Sequence, residues 1–181
     1  MFRRIRRAAF QPGIITPDQM QMLRNANSLV ATGKTGQAAP LFAQLATQMQ
    51  TSHPRRSANL HAQAAHAYAD SQNEQEALSH ARIALSLFRQ YQMVNRIPVF
   101  YTNITRKITN KGMTAAFDAL VSEFGSGITV TAAPAKPPVQ PRGQLPTNCP
   151  KCGAPIHKND ANWVDDQTIE CDFCGSLVNS V

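Results

Sequence analysis

Aromatic residues are scarce in this 181-residue chain, 7% of the total, with a single tryptophan at position 163. With alanine heavily used, that scarcity favours helices packed on helices over sheets, which draw on aromatic and β-branched side chains. Long apolar runs are missing as well. None approaches the roughly 18 residues that would suggest a membrane span. No cysteine stands before Cys149, so all four lie in two C-x-x-C pairs at the end of the chain. The opening Met1–Phe10 is basic but is not followed by a hydrophobic stretch of signal-peptide length, so export is not expected. A reducing cytoplasm is the expected compartment, and there paired C-x-x-C motifs point to metal ligation rather than disulfides.

Signals of catalysis are also thin. His53, His61, His66 and His80 form no H-E-x-x-H arrangement. Gly33-Lys34-Thr35 looks like the end of a phosphate-binding loop, but Ser28 stands where its first glycine belongs and the surrounding pattern is helical. Asn103-Ile104-Thr105 fits a glycosylation sequon yet falls inside a helical stretch. With no nucleophile–base pair in view, neither an enzyme nor a small-molecule substrate is expected.

What is present is a helical pattern. Hydrophobic residues make up 43% of the chain, enough for a packed core. Thr16, Pro17 and Asp18 announce a helix over 17–32, with Thr16 as N-cap. Apolar stripes at i, i+3, i+4 and i+7 follow through Ala38–Met49, Leu60–Tyr68, Ala77–Phe88, Ile97–Ile108 and Met113–Phe124. Turn signals at Gly33–Gly36, Ser71–Asn73 and Asn110–Gly112 recur every 39 or 40 residues, and longer breaks lie at 51–56 and 94–96. Six helices in three hairpins with a fixed period are the mark of a helical repeat array. The second hairpin, with Ala64, Ala65 and Tyr68 on one helix and Ala77, Ala81 and Ala84 on the next, resembles a tetratricopeptide repeat. The first, with Ala26, Leu29, Gly33, Ala38 and Phe42, is similar, and the third, with Gly112, Ala116 and Phe117, less so. The period exceeds the usual 34 residues or so, and a HEAT-like array or a plain six-helix bundle gives a similar pattern.

These features divide the chain into a basic tail (1–15), a helical domain (16–125), a linker (126–148) and a cysteine-bearing segment (149–181). The linker carries Pro134, Pro137, Pro138, Pro141 and Pro146 and no periodicity. Net charge is +7: +4 in the tail, +4 in the helical domain, +2 in the linker and −3 in the cysteine-bearing segment.

Cys149-Pro150-Lys151-Cys152-Gly153 and Cys171-Asp172-Phe173-Cys174-Gly175 are separated by a spacing expected for a four-cysteine metal site. Each C-x-x-C turn brings two thiolates toward one ion, and each following glycine suits a turn with positive φ. Asn162–Val164 and Thr168–Glu170 flank Asp165-Asp166-Gln167 as two short strands around a turn. The four cysteines and two glycines resemble the zinc-ribbon family. That resemblance implies one structural zinc ion held by Cys149, Cys152, Cys171 and Cys174, closed to water and substrate. A rubredoxin-like iron centre uses similar knuckles, but with a wider spacing between the pairs than is found here. His157 is read as a surface residue rather than a ligand.

The expected function is a non-enzymatic adaptor or assembly protein that binds protein partners through a helical groove and the ribbon. Arg3, Arg4, Arg6 and Arg7, interleaved with Phe2, Ile5 and Phe10, leave two further options open. They suit RNA phosphates, as in a ribosome-associated protein, or an anionic membrane surface, as in a peripheral protein. A solvated basic tail is the third.

Overall fold

A computed structural model describes residues 15–125, 143–156 and 161–180. Six helices come first: α1 (Pro17–Ala31), α2 (Thr35–Met49), α3 (Pro54–Asp70), α4 (Glu74–Gln90), α5 (Arg96–Asn110) and α6 (Thr114–Phe124). Three short strands follow, β1 (Asn162–Trp163), β2 (Thr168–Glu170) and β3 (Leu177–Asn179). The basic residues Arg3, Arg4, Arg6 and Arg7, most of the proline-rich linker and His157 lie outside the described residues.

α1 opens with a reciprocal cap. The Thr16 hydroxyl accepts from the Gln19 N–H at 3.3 Å, and the Gln19 side chain accepts from the Thr16 N–H at 3.1 Å. Ile15 just before it is buried and joins Met20 in one apolar cluster, the staple that fixes the entry of the chain. α3 begins earlier than the break over 51–56 suggests. Pro54 takes the first helical position, where its missing N–H has no intrahelical partner to lose.

Four helices end in one device. The N–H groups of Lys34, Asn73, Met93 and Met113 bond to the carbonyls of Leu29, Tyr68, Phe88 and Ile108, five residues back. The residue before each donor is left-handed: Gly33 at φ 75°, Gln72 at 59°, Gln92 at 55° and Gly112 at 73°. Three of these are the turns at 33, 72 and 112. The fourth, at Gln92, places the end of α4 earlier than the break at 94–96, because glutamine gives no left-handed signal.

Each helix packs on the next in chain order, α3 also touches α5, and α4 touches α6. Alanines make these contacts close: Ala58, Ala65, Ala69, Ala77, Ala81 and Ala84 are fully buried in one cluster with Leu85, Phe88, Ile104, Ile108 and Leu120. A second cluster begins with Leu23 and Ala26 of α1, passes through Phe42, Leu45 and Met49 of α2, and reaches Leu60 and Ala64 of α3. It then continues into all four cysteines, Ile169, Phe173 and Val178. The cysteine segment therefore shares a core with the first three helices.

The strands form one antiparallel sheet in the order β1-β2-β3, with Trp163 opposite Ile169 and Ile169 opposite Val178. β1 and β2 are the expected pair, and β3 adds a strand after the last cysteine. Among the described residues, no helix is long and apolar enough to cross a membrane.

Candidate metal centre

The two C-x-x-C segments adopt the same turn. In the first, the Gly153 N–H donates to the Cys149 carbonyl at 2.8 Å, and the Cys149 N–H donates to the Ala154 carbonyl at 2.8 Å. In the second, the Gly175 N–H donates to the Cys171 carbonyl and the Cys171 N–H to the Ser176 carbonyl, both at 2.9 Å. Gly153 and Gly175 have φ of 77° and 74°, the left-handed region where a Cβ is costly. The bridge between Asn148 and Pro155 closes the first knuckle, and the β2–β3 hairpin carries the second.

Back to back, the knuckles bring the four sulfurs within 4.8 Å of one another. Cys149 Sγ lies 3.8 Å from Cys174 Sγ, and Cys152 Sγ lies 3.8 Å from Cys171 Sγ. A tetrahedron with metal–sulfur bonds of about 2.3 Å has edges of about 3.8 Å, so the sulfurs fit a single tetrahedral ion. All four cysteines are buried and none is in a disulfide. Ser176 Oγ, 3.3 Å from Cys174 Sγ, is placed to donate its proton to a thiolate there.

The sulfurs titrate as one unit. Hydrogen bonding from Cys152 and Cys171 pulls Cys149 down to about 6, and Cys174 is pulled down by its three neighbours. Hydrogen bonding with Cys149 above all pushes Cys152 and Cys171 up, and burial adds to it. Four thiolates at this separation require a cation between them. The set is arranged to hold a metal ion with thiolate ligands alone, which suits a borderline or soft metal and would leave no open position for substrate.

The knuckles are bonded to the helices. Arg24 Nε of α1 donates to the Lys151 carbonyl at 2.5 Å, and Asn27 Nδ2 donates to the Cys152 carbonyl at 2.8 Å. On α3, Arg56 pairs with Glu170 at 2.6 Å, and Asn59 Nδ2 lies 3.4 Å from the Asp172 carbonyl. Arg96, which opens α5, pairs with the Asp172 carboxylate at 2.5 Å and donates to Asn59 Oδ1 at 3.2 Å.

These docking residues escape a motif search for ligands, but the sequence holds a trace of them. Arg24-Asn25-Ala26-Asn27 and Arg56-Ser57-Ala58-Asn59 are the same Arg-x-Ala-Asn pattern on two helices. In each, the alanine is fully buried and the asparagine addresses one knuckle.

The histidines gather elsewhere. His61 and His80 stand Nδ1 to Nδ1 at 2.8 Å, with Tyr68 stacked on His80. His66 is packed edge-on to Phe100, and its buried Nδ1 has no hydrogen-bond partner. Gly33-Lys34-Thr35 is the turn between α1 and α2. Compared with family models, with curated proteins and with solved structures, the chain matches none of them.

Proposed function

We propose that this protein is a non-enzymatic adaptor in which a tetratricopeptide-like helical array carries a structural zinc ribbon and binds protein partners. The observation that carries the reading is the bonding of both metal knuckles to the helices through Arg24, Asn27, Arg56, Asn59 and Arg96. A closed four-thiolate centre spends its ion on holding a surface in shape, and helical hairpins stacked through small residues are built to present one. Tetrahedral all-sulfur ligation suits zinc, with a single iron as the competitor. Elemental analysis of the purified chain is expected to give one zinc per chain and a colourless protein. Crosslinking in cell extract followed by mass spectrometry is expected to capture specific proteins, and capture of none would end the adaptor reading.

Charge distribution supports a second reading for the tail alone. The described residues hold eleven Lys and Arg against ten Asp and Glu, so six of the seven net positive charges lie in 1–14 and 126–142. The helical cations are largely engaged: Arg82 pairs with Glu123, Lys107 with Asp70, and Arg89 sits over Phe124. Binding to RNA or anionic lipid would therefore run through Arg3, Arg4, Arg6 and Arg7. It predicts affinity that falls steeply with salt and vanishes when 1–14 are removed. Vesicles with and without anionic lipid separate the membrane case from the RNA case.

A further inference from the structure

Beside the apolar cluster it shares with α1, α2 and α3, the ribbon meets the helices through a narrow polar chemistry. Arg24, Asn27, Arg56, Asn59 and Arg96 supply donors toward it, and the acceptors include two carboxylates and three main-chain carbonyls. Glu170 and Asp172 stand two residues apart at the end of β2, flanking Cys171, and each takes one arginine. Asn59 grips the main chain of the same segment at the Asp172 carbonyl. Side-chain amides on main-chain carbonyls with guanidinium groups on alternate carboxylates are what a peptide with acids two residues apart requires of its receptor. Residues 170–172 supply that pattern, Glu170 as the last residue of β2 and Asp172 inside the turn of the second knuckle. The ion is what holds them there: the contacted atoms lie within or next to the two knuckles, whose shape depends on ligation.

We propose that this strip of α3 and α5 is a binding face for a segment with acidic residues at alternate positions. The protein's own ribbon covers it while the metal centre is loaded. The proposal rests on the adaptor reading and names the chemistry of the partner. With the ion in place, the tethered segment acts at a high effective concentration and excludes a free peptide. Without it, Glu170 and Asp172 lose their fixed spacing and become a weak competitor. The partner then enters by displacing residues 170–172.

The test uses the full chain under reducing conditions and a fluorescent peptide copying residues 167–173, with its cysteine replaced by serine. Anisotropy is expected to show at least tenfold tighter binding to chelator-stripped protein than to zinc-loaded protein. A control peptide with both acids changed to amides should bind at least tenfold more weakly, as should the stripped Arg56→Ala/Arg96→Ala chain. Glu170→Gln/Asp172→Asn, which keeps all four cysteines, should bind the acidic peptide while still loaded with zinc. Equal affinity of loaded and stripped wild type overturns the proposal. So does failure of the loaded double variant to bind, and that variant alone decides if stripping unfolds the helices by circular dichroism. The adaptor reading fails separately, when neither the loaded wild type nor the loaded double variant crosslinks to any protein in cell extract.

Discussion

The side-chain amide of Asn27 donates to the carbonyl oxygen of Cys152 at 2.8 Å, tying one of the four clustered cysteines directly to the first helix. The bond lies at the edge of the apolar cluster that the cysteine segment and the first three helices share. It also makes the metal centre a tertiary contact as well as a local one. Asn27→Ala leaves the Cys152 carbonyl without that partner in a partly buried site, which costs about 1–3 kcal/mol. Urea unfolding of the zinc-loaded protein should show that loss for Asn27→Ala and little change for Asn25→Ala, whose exposed side chain lies between the two arms of the motif.

Metal removal should reach beyond the ribbon. Ligation contributes folding free energy, since the folded chain gathers four sulfurs around one ion and the unfolded chain has no such preformed site. Chelation is expected to lower the melting temperature, and Cys152→Ser should do so without chelator. Hydrogen exchange should localise the effect. Protection falls in α1 and α3, which bond to the knuckles, and holds in α6, whose buried Ala116, Leu120 and Phe124 belong to the other cluster. Uniform loss across all six helices would show that the two clusters unfold as one.

The helices were readable in the sequence because their stripes and caps are local. Thr16, Pro17 and Asp18 mark a helix start within three residues, and Gly33 and Gly112 fix two ends by backbone conformation alone. The metal site was equally readable, because C-x-x-C sets two sulfurs in one turn whatever surrounds it. What stayed hidden is long-range. Arg56 and Glu170 are 114 residues apart, and nothing local to either marks the partner. The repeated Arg-x-Ala-Asn pattern is a usable clue, since two polar residues with a buried alanine between them put donors beside a packed surface. Opposite charge on ribbon and helices is another. Leu177–Asn179 escaped notice because three residues after a knuckle are too few to show alternation.

Acid should destabilise the fold through its histidines. Burial pushes His66 down to about 4, with Lys107 adding to the effect and Asp70 opposing it. Burial and the neighbouring His80 likewise hold His61 at about 4. A histidine whose folded pKa lies below its unfolded value is neutral in the fold and gains a proton on unfolding. Stability is therefore complete above about pH 6.5 and falls as pH drops toward 4, for His66 by on the order of 3 kcal/mol in all. His66→Leu removes that slope and also the unpartnered Nδ1. Chemical denaturation at pH 7.5 and 5.0 should show a smaller difference for the variant than for wild type. Loss of metal at low pH affects both proteins alike and cancels in the comparison.

The end of α4 offers a stabilising change. Gln92 occupies the left-handed position of the same helix-ending turn that Gly33 and Gly112 fill, with its N–H bonded to the Arg89 carbonyl. A side chain there places Cβ against the adjacent carbonyl, at about 1–2 kcal/mol, a strain glycine does not have. Gln92 is exposed, so removing its side chain sacrifices no core contact. Glycine gives some of this back through its freer unfolded chain. The net expectation for Gln92→Gly is a gain of about 0.5–1 kcal/mol, seen as a higher urea midpoint with an unchanged slope. Gln92→Ala, which keeps Cβ and so the strain, should show no such gain. A gain of equal size in both variants would place the effect in the glutamine side chain instead of the backbone.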